Sequence, residues 1–209
     1  ILKGISIAVV VKQLFDFTKN IIEVRGQFQK FEAVLTNTLG SKSAALIALG
    51  RINEFAKSTP FGVSELTENF IKLANRGVEP TIQQMRAIAD LSATLGKDFS
   101  QVVEAILDIN NPERWKEIGI KAETAGNKVK LTFRGVTQEV DRTVDGVTGA
   151  VVALGRLNGV AGSTEAISRT LAGQTSNLAD SWEQLLNTLG KGNEGVLFET
   201  VSLLGQAID

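Results

Sequence analysis

Two pairs of carboxylates are the residues whose type and spacing could support acid–base chemistry. Glu65 and Glu68 stand three residues apart, and Asp141 and Asp145 stand four apart. The chain has no histidine, the usual general base near neutral pH, and no tyrosine or cysteine. We therefore interpret both pairs as solvated surface charge and expect no catalytic residue.

A short run, Gly40-Ser41-Lys42-Ser43, partly resembles a phosphate-binding loop. That loop requires an earlier glycine, then four residues, then Gly-Lys-Ser or Gly-Lys-Thr, and a strand in front of it. Here a helical pattern comes first, so we interpret the run as a turn between helices with Ser41 or Ser43 as the helix cap. With no cysteine or histidine to bind a metal, we expect neither a metal nor a cofactor.

The overall composition limits the classes of partner. Of 209 residues, 43% are apolar, enough for a proper core, and 22 basic against 23 acidic residues leave a net charge of −1. This balance gives no electrostatic reason to expect direct binding of nucleic acid. The apolar run at residues 5–11 is too short for a membrane span. Because the sequence starts at Ile1 and stops at Asp209 inside an apolar pattern, we expect it to belong to a longer polypeptide.

The element that could position an interface is a heptad seam near the start of the chain, which predicts one long helix over residues 5–38. Its members alternate in steps of three and four: Ile7, Val10, Leu14, Phe17, Ile21, Val24, Phe28, Phe31 and Leu35. The seam could pack on the rest of the same chain or form a parallel coiled coil between copies. The residues we assign to helix association are Ile21, Val24, Phe28, Phe31 and Leu35.

Residues 39–142 predict a compact bundle of short amphipathic helices with one β-hairpin. Thr81 with Gln84, and Asp98 with Gln101, have the spacing of capping boxes at two helix starts. Over residues 128–140 the period changes to that of a strand, with a turn at Arg134 and Gly135. We expect the apolar face of this hairpin to pack on the helices, through Val129, Leu131 and Phe133.

Residues 143–209 predict a glycine-rich connection followed by amphipathic helices that continue into a longer chain. Gly155 and Gly159 have the spacing of a membrane helix-packing motif, although polar residues interrupt the surrounding apolar character. Trp115 and Trp182 each lie on an apolar helical stripe, which favours burial over a role in stacking on a sugar or base. The last clear stripe, predicted to end at Gly190, consists of Leu178, Trp182, Leu185, Leu186 and Leu189.

The run ERWKEIGIKAETAGNKVKLTFRGVTQEV at residues 113–140 resembles a segment of phage tail tape measure proteins. In that family a short helix ends in a Phe-Gly-Ile or Ile-Gly-Ile phrase and leads into a Lys-Val-x-Phe-Thr-Phe-x-Gly hairpin. Here the phrase is Ile118-Gly119-Ile120 and the hairpin occupies residues 128–135. Leu131 stands where the family often has an aromatic residue, which is a conservative difference.

Other runs resemble the same family in the same order, so the likeness extends over roughly residues 20–190. They are GSKSAA at 40–45, STPFGVSELTENFIKLANRGVEPT at 58–81, LGKDFSQVVEAI at 95–106 and LAGQTSNLADSWEQLLNTLG at 171–190. The resemblance implies a mainly helical virion structural protein that sets tail length during assembly and leaves with the DNA at ejection. It implies several copies inside the tail tube, after assembly in the host cytoplasm. The implied partners are other copies, the tail tube protein, tail assembly chaperones, and baseplate or tail-tip proteins.

Three other hypotheses remain open from the sequence. The chain could be a helical self-association domain of another secreted or phage particle protein. A cell-wall hydrolase module would need a glutamate in a cleft, with Glu65, Glu68 and Glu104 as candidates. A membrane-perturbing segment would centre on residues 147–161, whereas we otherwise expect membrane contact only through other parts of a longer chain.

Overall fold

The computed structural model describes residues 7–196, including all side chains in that range except those of residues 7–15, 171, 172, 175, 176 and 178. The expectations for the side chains of Ile7, Val10, Leu14 and Leu178, and for the apolar pattern beyond residue 196, lie outside this description. The described chain is mainly helical and carries one small antiparallel sheet, as the sequence predicts.

The elements follow one another with short connections, as is usual for compact helical domains. In chain order they are α1 (Ile7–Leu39), α2 (Lys42–Ala56), α3 (Val63–Ala74), α4 (Ile82–Leu95), α5 (Phe99–Leu107), α6 (Pro112–Glu117), β1 (Lys121–Ala125), β2 (Lys128–Phe133), β3 (Val136–Asp141), α7 (Val144–Gly155), α8 (Ser163–Ser168) and α9 (Leu171–Gly192).

These elements divide into two compact units. The central unit is Val34–Asp180, and the terminal unit combines the chain up to Ala33 with the chain from Ser181 onward. Both boundaries fall inside long helices, α1 and α9. In sequence, the central unit is therefore an insertion between two helical segments.

Local capping chemistry explains where several helices begin. Ser41 Oγ accepts a hydrogen bond from the Ala44 N–H at 3.4 Å, so Ser41 is the α2 cap that the sequence leaves open between two serines. At α4, Thr81 Oγ1 accepts from the Gln84 N–H at 3.2 Å while Gln84 Oε1 accepts from the Thr81 N–H at 2.8 Å. This reciprocal pair is the predicted capping box.

The hairpin predicted near residues 128–140 is present, and a third strand extends it. β2 pairs antiparallel with β3, and the turn residues Arg134 and Gly135 both have positive φ, as a two-residue hairpin turn requires. The predicted inward face packs against α7, with Val129 and Leu131 fully buried and Phe133 9% exposed.

Strand β1, which the sequence did not predict, pairs with the other edge of β2 in the order β1-β2-β3. Its sequence, Lys-Ala-Glu-Thr-Ala, lacks the large alternating apolar residues that signal a strand. Such residues are not needed here, since β1 is almost entirely exposed and buries no apolar face.

Cross-strand pairing of charges explains why the outward face of β2 is stable in water. Lys128 Nζ lies 2.7 Å from Asp141 Oδ1, and Lys130 Nζ lies 3.1 Å from Glu139 Oε2. The hydrogen bond to Asp141, followed by the charge of that carboxylate, raises the pKa of Lys128. Directly opposed charges of this kind stabilise a sheet modestly and help to set its register.

The glycine-rich segment contains a core helix, which corrects the prediction of a connection beginning at residue 143. In α7, Val147, Val151 and Leu154 are fully buried, and the helix packs on α4. Gly155 and Gly159 have separate local roles: Gly155 lies against the backbone of Ala87 in α4, while Gly159 occupies a turn with positive φ. The glycines give α7 a low helix propensity, and the close packing of α7 on α4 offsets it.

Candidate association interface

The terminal unit contains two helical segments that run parallel. The rings of Phe17 in α1 and Trp182 in α9 have centroids 6.3 Å apart, and farther along both segments Arg25 lies 2.6 Å from Glu194. Because the contacts advance in the same direction along both segments, the chain that returns after the insertion continues in the direction of α1.

Arg25 is the polar centre of this helix pair. Its side chain is buried, and its guanidinium donates to Glu194 Oε1, to Glu32 Oε1 at 3.1 Å and to Asn187 Oδ1 at 3.2 Å. Burial alone lowers the pKa of Arg25, but the hydrogen bonds to Glu194 and Glu32 outweigh burial and raise it. The hydrogen bond from Arg25 in turn lowers the pKa of Glu194.

The sequence reasoning missed Arg25 because a charged residue does not fit an apolar seam. A signal was available in Glu32, which stands seven residues later and therefore on the same helical face.

Gly190 makes the approach of Arg25 possible. A Cβ on Gly190 would lie 2.8 Å from Cβ of Arg25 and 3.2 Å from Cγ2 of Ile21. The prediction that this glycine ends the helix is wrong, since α9 continues to Gly192. A side chain is excluded at this position because the two helices pack closely there.

The structure places the predicted association residues of α1 along one side of that helix. Ile21, Phe28, Phe31 and Leu35 are buried, and the rings of Phe28 and Phe31 meet edge to face at 6.2 Å. Val24 is only half-buried, whereas the next residue, Arg25, is buried. Whether these residues also associate between copies stays a prediction.

A second apolar stripe in the terminal unit remains exposed. Trp182 is 50% exposed and Leu185 47%, while Leu189 and Phe17 are each 37% exposed; we call these four residues the Trp182 stripe. The prediction that Trp182 is a core residue is therefore wrong, although Trp115 is fully buried as predicted. The reason is geometric: the face of α9 that carries Leu186 and Gly190 is the one that is buried, and the Trp182 stripe lies on another face.

The candidate catalytic glutamates serve structural contacts. Glu65 Oε1 accepts from the N–H of Ser100 at 3.0 Å and from its hydroxyl at 3.2 Å, near the start of α5. Glu104 Oε2 lies 3.1 Å from Nη1 of Arg114. Glu68 is exposed.

Among residues 7–196, no three histidine, cysteine, aspartate or glutamate side chains are grouped so that they could hold a metal ion. Within the same residues, none of the helices combines the length and the apolar character needed to cross a bilayer. Comparison with protein-family models, with curated proteins and with solved structures finds no match.

Proposed function

We propose that this chain is a folded, non-catalytic segment of a phage or prophage tail tape measure protein. The observation that carries the proposal is the parallel pairing of α1 with the second half of α9, two segments that the central unit separates in sequence. A protein that measures length along a tube needs each folded segment to pass the chain onward in one axial direction. Parallel entry and exit helices meet that need.

The length of α1 is consistent with a ruler element. Its 33 residues correspond to about 50 Å of continuous helix. The sequence resemblance supports the identity of the ruler. The helix and hairpin on which the resemblance rests correspond to α6, β2 and β3, with the additional strand β1 between α6 and β2.

Association of copies is the second part of the proposal. Trp182, Leu185 and Leu189 repeat at three and four residues, which is the spacing with which parallel helices pack into one another. A second copy that presents the same stripe would cover these side chains. The expected partners beyond further copies are the tail tube protein, assembly chaperones and baseplate or tail-tip proteins, inside the tail tube.

The experiment that tests this function is a measurement of tail length. In-frame deletions and duplications are made in the parent gene outside residues 1–209, and tails are measured by negative-stain microscopy. For a helical ruler, length should change in proportion to the residues removed or added, at up to about 1.5 Å per residue. Unchanged tail length in particles that still contain the shortened protein would contradict the proposal.

A further inference from the structure

An apolar groove runs between α2 and α4 in the central unit. Ile47, Phe55 and Ile82 line it, and the large apolar side chain of Ile47 is 52% exposed to solvent. The groove continues past Pro80 at its other end. A concave apolar surface with exposed edges is a common form of protein docking site.

Three arginines border this groove and the cleft beside it. Arg51 and Arg86 line the groove, and Arg86 also lines an adjoining cleft together with Arg156 from the end of α7. Arg86 stacks over the Phe55 ring at 5.0 Å and donates to Ser58 Oγ at 3.3 Å. Within the described part of the chain, none of these three arginines forms a salt bridge.

The two acidic groups beside the Arg86 end of the groove, Glu54 and Asp90, are already engaged. Glu54 Oε1 lies 2.6 Å from Lys57 Nζ. Asp90 is buried and accepts hydrogen bonds from the N–H groups of Gly162 and Thr164. The three arginines therefore leave uncompensated positive charge on this side of the groove, on a chain whose net charge is −1.

The groove walls restrict the form of the occupant. α2 and α4 are helices whose backbone groups are already paired within each helix, so they offer no edge to which an extended peptide could add. An extended segment on the apolar floor would leave its own N–H and C=O groups without partners. A helix satisfies these groups internally and presents only side chains.

We propose that this surface binds an amphipathic acidic helix of a partner protein. Apolar side chains of that helix would cover Ile47 and Ile82, and its carboxylates would face Arg51 and Arg156. Glu79 lines the continuation of the groove together with Arg51 and carries the opposite charge, so the carboxylates belong at the Arg86 end of the bound helix. This inference is independent of the tape measure assignment.

The probe for the test is a synthetic helical peptide with leucines at three- and four-residue spacing flanked by glutamates, labelled for fluorescence anisotropy. Its matched twin carries lysines in place of the glutamates. The 209-residue chain should bind the acidic peptide and not the twin, and added salt should weaken binding because the paired charges are exposed. No binding at millimolar peptide, or equal binding of the twin, would overturn the proposal.

Variants then locate the site. Arg51→Gln and Arg156→Gln should each weaken binding about threefold, as expected for exposed charge pairs, and Ile47→Ser should weaken it about tenfold. Arg76→Gln is the matched control, because Arg76 is also exposed and without a salt bridge in the described chain but lies outside the groove. An equal loss of peptide affinity in Arg76→Gln would overturn the assignment of the site. The proposal would also be overturned if single-stranded DNA displaced the peptide and if Arg51→Gln lost the binding of that DNA, since the groove would then be a nucleic-acid site.

Discussion

Gly155 and Ala87 are in backbone contact where α7 crosses α4. A Cβ added to Gly155 would lie 1.9 Å from the carbonyl oxygen of Ala87, which is far too close for a carbon and an oxygen that are not bonded to each other. The opposing atom belongs to the backbone of a buried helix and cannot rotate away. The crossing of the two helices therefore depends on glycine at this position.

Replacing Gly155 with alanine should lower the free energy of unfolding by about 3 kcal/mol, since either helix must move in a packed core. The matched control is Gly149→Ala in the same helix, where a Cβ would meet nothing within 4 Å. That variant should raise the free energy of unfolding by about 0.5–1 kcal/mol through helix propensity. Urea denaturation measures both, and similar effects of the two substitutions would contradict this account.

Asp90 should be a second residue on which the stability of the central unit depends. Its carboxylate accepts from the Gly162 N–H at 2.9 Å and the Thr164 N–H at 3.0 Å, and it also contacts the Thr164 hydroxyl. Asp90→Ala should cost about 2–4 kcal/mol in urea denaturation, because the buried N–H of Thr164 and the part-buried N–H of Gly162 lose their acceptor. Exposed Asp145→Ala is the control and should cost at most about 1 kcal/mol.

The Arg25–Glu194 pair should make the terminal unit sensitive to acid. Because the hydrogen bond from Arg25 lowers the pKa of Glu194 in the folded state, the pair contributes stability fully above the ordinary glutamate pKa, about 4.3. That contribution is lost as pH falls through the lowered pKa. Unfolding of the chain and of Glu194→Gln, followed between neutral pH and strong acid, measures the effect.

In that comparison the chain should be more stable than Glu194→Gln near pH 6 to 7, and the difference should shrink below the ordinary glutamate pKa, about 4.3. Glu183 provides an internal contrast, since burial raises the pKa of that carboxyl and its effect on stability has the opposite sign. A difference that persists unchanged into strong acid would show that Glu194 acts through packing and not through its charge.

The Trp182 stripe should mediate association between copies. Trp182→Ser should weaken self-association about 30-fold in sedimentation velocity, because a half-exposed tryptophan in an apolar stripe is a typical interface hot spot. Leu46→Ser removes a comparably exposed leucine from α2 in the central unit and should leave association unchanged. A chain that stays monomeric at every concentration would argue against this interface.

Much of the fold could be predicted because its signals are local. The helical period of α1, the Thr81 capping box and the turn at Arg134 are each set by residues a few positions apart, and the helix, the box and the turn all appear in the structure. The exposed strand β1 could not be predicted from its own composition. It forms because β2 offers a free edge beside it.

The sequence by itself determined a mainly helical chain with one hairpin, since periodicity and turn chemistry act between neighbours in the chain. Only the tertiary structure decided which apolar faces are buried. Gly155 belongs to a core crossing because Ala87 opposes it, Arg25 is buried because it packs closely on Gly190, and Trp182 is exposed because α9 buries another face. Each of these outcomes depends on contacts between residues far apart in sequence, which a local pattern does not encode.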